Sequence, residues 1–272
     1  MPAKVLFEQS DGVAHVTLSH PRRFNAMSRP MWHDLRHVFE CIQKSTQLRC
    51  VKVVGHGANF CAGGDISEYR EFRFQEPSLR EFHERDVWGA LNAMLECDVP
   101  IVAQITGNCM GAGVEIASCC DIRLSAESAR FGAPIARLGF PMAPREAALV
   151  SRELGSTTAR QMLLEAAVFS APEMRQRGFL SDVVADMDLP SLAQATVQRI
   201  CQLAPQAARL NKQTLRAINS THALSGNSLT AKKKGASDDL LEKLMDSAYD
   251  YADSTEQREG IMAFLEKRHA KF

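Results

Sequence analysis

One order of elements is met and then met again in this chain: a short β-branched strand, a glycine-rich turn, a helix. Val51 to Val54 reads as a strand and leads through Gly55-His56-Gly57 to the turn Cys61-Ala62-Gly63-Gly64-Asp65. Ile101 to Ile105 reads as a strand and leads into Gly107 to Gly113. Asp121 to Leu124 and Leu180 to Ala185 supply two further strand-like segments. Strands alternating with helices indicate an α/β protein. The chain has 272 residues, 45% of them apolar, enough to bury the core of one large domain.

The flanks read differently. Val5 to Gln9 and Val13 to Leu18, joined through Ser10-Asp11-Gly12, form a hairpin signal with Asp-Gly at the turn. His20 to Ala26 is a loop. Ser28 before Arg29-Pro30 predicts a helix cap, and Met31, Leu35, Val38, Phe39 and Ile42 follow at helical spacing. From about Leu189 onward the signals are nearly all helical, over Ala193 to Leu203, Ala207 to Ile218 and Asp238 to Tyr251. Lys232-Lys233-Lys234 lies in a segment that looks exposed and reads as a solvated basic loop. These patterns divide the chain into a core over 1–200 and a helical region over 201–272.

Within the second glycine-rich segment stands one acid, Glu115, among small and apolar neighbours. In a helix after Gly111 its neighbours three and four positions away are Gly111, Ala112, Ser118 and Cys119, none of which neutralises a carboxylate. A carboxylate there lies on a narrow solvated face, or it is buried and used.

Thirty-two basic and 32 acidic side chains give zero net charge, which argues against nucleic acid as the main partner. No apolar run approaches the roughly 18–20 residues that span a bilayer, and no signal-peptide h-region follows Met1. The eight cysteines form no CxxC pair and no zinc spacing, so they read as small buried thiols in a reducing cytoplasm, with no metal expected. Neither glycine-rich turn fits a dinucleotide fingerprint; the second is GxxxGxG. Each turn alone signifies little beyond a tight bend.

In order and spacing, however, these segments resemble the crotonase superfamily, the enoyl-CoA hydratase/isomerase family. The resemblance rests on Asn25-Ala26-Met27-Ser28, Cys61 to Ile66, Gly111 to Ala117 running on to Cys120-Asp121-Ile122-Arg123, Ala129 to Pro134, and the ending Arg258 to Arg268. It implies a crotonase-like α/β spiral of ββα units with a helical C-terminal oligomerisation region. It implies a homotrimer, often a dimer of trimers, acting on an acyl-CoA thioester, with coenzyme A as part of the substrate and no separate cofactor. It places the oxyanion-holding N–H groups on Gly64 and Ala112 and a general acid–base on Glu115. Asn25, Ala26, Ala62, Asp65 and Ile66 are expected along the nucleotide and pantetheine arm, and Phe264 and Lys267 at its adenine and phosphate end, often across a subunit boundary. Asp65 also reads as the cap of the helix after its turn.

The sequence departs from the hydratase pattern at one position. The family's second catalytic glutamate follows the proline of the Phe-Gly-x-Pro segment, and here that position is Ile135. Hydration of a 2-enoyl-CoA remains the nominal expectation. Double-bond isomerisation needs only one base and is an alternative, as are hydrolysis or decarboxylation over the same oxyanion pair. A largely non-catalytic CoA- or RNA-binding protein is the alternative from another class. Arg137 is a candidate for a substrate carboxylate or for a structural ion pair, Glu146 is a spare acid, and the charged segment Glu68 to Asp86 is expected to cover the acyl pocket.

Overall fold

A computed structural model describes residues 3–224, 245–246 and 248–272. The basic triplet Lys232 to Lys234 and most of the helix expected over Asp238 to Tyr251 lie outside the described residues, and residues 248–253 form turns.

The hairpin comes first: β1 (Lys4–Ser10) pairs antiparallel with β2 (Val13–Ser19). Asp11 and Gly12 both take positive φ, 49° and 76°, as a two-residue hairpin loop of this hand requires. Helix α1 (Arg29–Lys44) begins where expected, with the Ser28 side chain accepting from Met31 N. Its apolar stripe from Met31 to Ile42 is buried. Then come β3 (Cys50–Gly55), a 3-10 helix (Ile66–Glu71), α2 (Glu76–Glu81), a π-helical turn (Phe82–Val87), α3 (Trp88–Leu95), β4 (Ile101–Ile105), β5 (Asn108–Met110) and α4 (Ala112–Ser118). The chain continues through β6 (Ile122–Ala126), β7 (Arg130–Gly132), α5 (Pro144–Leu154), α6 (Ser156–Leu164), β8 (Val168–Ser170), α7 (Ala171–Gln176), β9 (Asp182–Val184), α8 (Leu189–Cys201) and α9 (Pro205–Leu224). A C-terminal helix spans Thr255–Leu265.

Two ladders organise these elements. The larger sheet has the order β1-β2-β3-β4-β6-β9, parallel from β2 onward. The smaller has the order β5-β7-β8. Each turn of the chain contributes first to the larger sheet and then to the smaller: β4 is followed by β5, and β6 by β7. After β3 the same step is made by a single bridge, Cys61 to Cys109 on β5. After β2 it is made by another, Met27 to Gly64. This is the spiral of ββα units that the resemblance implies.

The larger sheet is buried on both faces, as parallel sheets are. Alternate residues go to opposite sides. Ala14, Val16, Val51, Val53, Ile101 and Ala103 join the main core with α1 and α3. Val13, Cys50, Val102, Leu124 and Ala126 pack on Leu189, Ala193 and Val197 of α8. Helix α9 is tied to the spiral by cations: Lys212 Nζ lies 2.7 Å from Asp121, Arg216 lies 2.8 Å from Asp98, and Arg209 donates to the carbonyls of Ser45 and Leu48. No helix among the described residues is long and apolar enough to cross a membrane.

Candidate active site

The spiral brings the two glycine-rich turns side by side. Cys61 N donates to Asn108 O at 2.8 Å and Met110 N donates to Cys61 O at 2.9 Å, which staples one turn to the other. The contact demands small residues: a Cβ on Gly113 would lie 2.7 Å from the Cys61 carbonyl oxygen. The Cys61 thiol lies sealed within this contact, where burial pushes its pKa up to about 12, so it offers no thiolate nucleophile.

Most N–H groups along these turns are taken. Gly63 N donates to Cys61 Sγ at 3.5 Å, Asp65 N to Met27 O at 2.9 Å, and Gly111 N to Gly132 O at 2.8 Å. The N–H of Gly64 has no protein acceptor among the described residues. Nor has that of Ala112, which opens α4 and so has no carbonyl one helical turn behind it. Both residues line one cavity of about 350 Å³, within the range of small-molecule sites.

Glu115 lines the same cavity, one helical turn after Gly111, whose carbonyl accepts from Glu115 N at 3.0 Å. Burial pushes its carboxyl up to about 8; the charge of Glu146 adds to that rise, and Arg73 opposes it. Half-buried, Glu115 faces this cavity. Ala62, Ile66, Ile135 and Arg137 also line the cavity. Ile135 adds to an apolar wall with Leu138, Phe140 and Met142. Arg137 forms no ion pair among the described residues.

Other expected residues stand outside the lining. Asn25 is fully buried at φ 61°, and its Nδ2 donates to His56 O at 2.9 Å and Asn59 O at 2.7 Å. It fastens the loop and leaves no side-chain donor for a ligand. Ala26 is buried beside it. Asp65 caps the 3-10 helix, accepting from Ser67 N at 3.0 Å and Ser67 Oγ at 2.6 Å. Phe264 is exposed on the C-terminal helix and Lys267 follows that helix; neither lines the cavity.

Four side chains that the motifs did not single out complete the wall: Trp32, Tyr69, Arg73 and His83. The last three come from the segment Glu68 to Asp86, which does flank the cavity as expected. The Tyr69 hydroxyl presses on Gly64, only 2.3 Å from where a Cβ there would stand. His83 sits in the π-helical turn, a distortion often found at functional sites. Its Nδ1 lies 3.0 Å from Oε1 of Glu146, which is buried on α5. Only the position of Glu115, alone among apolar residues, offered a sequence signal of this kind; His83 and Arg73 are ordinary members of a charged run. Among the described residues, no group of three or more acids, histidines and cysteines is placed to hold a metal ion.

The enoyl-CoA hydratase/isomerase family model matches residues 8–272. A short-chain-enoyl-CoA hydratase of Clostridium acetobutylicum is 30% identical over 268 residues, which covers 97% of this chain and 95% of the relative. The crystal structure of an enoyl-CoA hydratase/carnithine racemase from Magnetospirillum magneticum superposes with a TM-score of 0.88 at 31% identity, covering 100% of this chain and 96% of that one. An enoyl-CoA hydratase from Mycobacterium smegmatis gives a TM-score of 0.83 at 26% identity, covering 100% and 99%.

Proposed function

Because the chain belongs to the enoyl-CoA hydratase/isomerase family, we propose that it transforms an acyl-CoA thioester through an enolate, in the cavity shared by Gly64, Ala112 and Glu115. One observation carries this reading: two backbone N–H groups without acceptors among the described residues belong to residues lining one cavity with an acid whose pKa is raised. A thioester oxygen placed between them accepts both hydrogen bonds. As charge gathers on it, fixed donors stabilise the enolate with no reorganisation, and losing one such donor typically costs about 2.7–4 kcal/mol.

Hydration of a 2-enoyl-CoA is the nominal reaction. Glu115, as carboxylate, takes a proton from water as the hydroxyl adds to carbon 3. Carbon 2 then needs a proton. Ile135 has none to give. His83 supplies it in this scheme: Glu146 occupies Nδ1, and Nε2–H of the imidazolium is the proton presented. Proton return from Glu115 to His83 resets the site. Glu146 is thus a positioning residue and His83 the second proton carrier. Isomerisation is the second reading, favoured by the apolar Ile135, because Glu115 alone can take a proton from one carbon and return it to another.

Ala62 and Ile66 fit the pantetheine arm, since both line the cavity. Phe264 and Lys267 serve the nucleotide end only in a trimer, where a neighbouring subunit lends them. A panel of acyl-CoA thioesters with products read by mass spectrometry and chromatography tests the proposal. Gain of water identifies hydration, a shifted retention at equal mass identifies isomerisation, and free coenzyme A identifies hydrolysis. CoA or RNA binding with no turnover of any thioester would leave only a binding protein.

A further inference from the structure

The cavity wall carries more hydrogen-bond donors than it can satisfy. Four buried side-chain polar atoms lack a partner among the described residues, and two of them are N–H donors on cavity-lining residues: Trp32 Nε1 and Arg73 Nε. Trp32 is 1% exposed. Leaving such donors unmet is costly, about 1–3 kcal/mol each and more for charged groups, unless a ligand meets them. Neither Ser19 Oγ nor Ser118 Oγ, the other two, belongs to a residue that lines the cavity.

Arg73 is held rather than loose. Its guanidinium carbon stands 3.7 Å from the Phe140 ring centroid and 4.2 Å from that of Tyr69. Two aromatic faces fix the plane of the fork but do not neutralise its charge. Arg73 forms no ion pair with a described carboxylate. The nearby acid Glu115 is largely protonated at neutral pH and does not cancel it. Arg137 adds a second cation, unpaired among the described residues, to the same lining. Tyr69 and Phe140 flank Arg73, and Ile135, Leu138 and Met142 add apolar wall to the same cavity.

We infer that the acyl group of the substrate carries a second carboxylate, and that Arg73 receives it. This rests on the acyl-CoA reading above and names the substrate class within it. A planar carboxylate matches the guanidinium fork, which an aliphatic acyl tail does not. A monocarboxylic tail entering this cavity leaves the Arg73 donors unmet; a dicarboxylic one satisfies them.

The test is calorimetric binding of saturated, unreactive thioesters matched in carbon number: succinyl-, glutaryl- and adipyl-CoA against butyryl-, valeryl- and hexanoyl-CoA. The wild-type protein is expected to prefer the carboxylated member of at least one pair by about tenfold or more. Arg73→Gln should abolish that preference and leave the uncarboxylated affinities within about threefold, which also shows that the variant is folded. Arg73→Lys should restore part of it. If uncarboxylated thioesters bind as well as carboxylated ones at every length, the dicarboxylate proposal is overturned while the acyl-CoA reading stands. The same holds if Arg73→Gln weakens both members of each pair equally. If no thioester binds, the acyl-CoA reading itself fails.

Discussion

His83 Nδ1 lies 3.0 Å from Glu146 Oε1, and the same Glu146 helps to raise the pKa of Glu115. One buried carboxylate therefore acts on both candidate proton carriers. The scheme needs the base form of Glu115, so the acid limb of kcat/KM should rise with pH through about 8. Glu146→Gln removes a charge that raises Glu115, so the rising limb should move to lower pH. The maximum should also fall by about 10²-fold, because the His83 imidazolium loses its charged partner. His83→Gln should lower the maximum but leave the limb near its place. Parallel pH profiles of the three proteins provide the check.

Glu115 should also cost stability. Its folded pKa is raised from 4.5 to about 8. Between those values the unfolded chain has released a proton that the folded chain keeps, so stability falls as pH rises through this window and is flat above it. Glu115→Gln has no such dependence. The melting temperature of that variant should match wild type near pH 4.5 and exceed it increasingly up to pH 8–9, while turnover drops by at least about 10²-fold. A melting series across this range, paired with rate measurements, decides it.

Gly64 leaves no room for a side chain because the Tyr69 hydroxyl is already there. Gly64→Ala should displace either the Gly64 N–H or Tyr69 and lower kcat by about 10²-fold. Removing the hydroxyl relieves the contact, so adding Tyr69→Phe should recover about tenfold of that loss. The double-mutant cycle is read in kcat, with coenzyme A binding as the control for folding.

Ile135 is half-buried in the cavity wall where the family's second glutamate is expected. Ile135→Glu should raise hydration of crotonyl-CoA over isomerisation, and should rescue His83→Gln by at least about tenfold. Initial rates with product separation by chromatography measure both.

Much of this was legible in the chain itself. The hairpin turn, the Ser28 cap, the Ile101–Ile105 strand and the two glycine-rich turns all follow from local chemistry, and the structure has each in place. The second ladder was not legible. Its strands β5, β7 and β8 have three residues each, too few for any periodicity to register, and they exist because the spiral stacks them. The site divides in the same way. Glu115 announces itself by being an acid among apolar neighbours. Arg73 and His83 sit in a run rich in charges, where sequence cannot tell the two that reach the cavity from their neighbours. Glu146 read as a spare acid, and only packing against the π-helical turn buries it beside His83.

In the proposed reaction, charge passes through an enolate held by Gly64 and Ala112, with Glu115 moving the proton. Conversion of crotonyl-CoA in deuterium oxide, followed by mass spectrometry of the recovered acyl group, tests it most directly. Wild type should place a solvent deuterium on carbon 2 of a hydration product, an isomerised product should keep the substrate proton that Glu115 carries from one carbon to the other, and Glu115→Gln should form either product at least about 10²-fold more slowly. A hydration product without deuterium on carbon 2, or equal rates of product formation by Glu115→Gln, would contradict the proposed reaction.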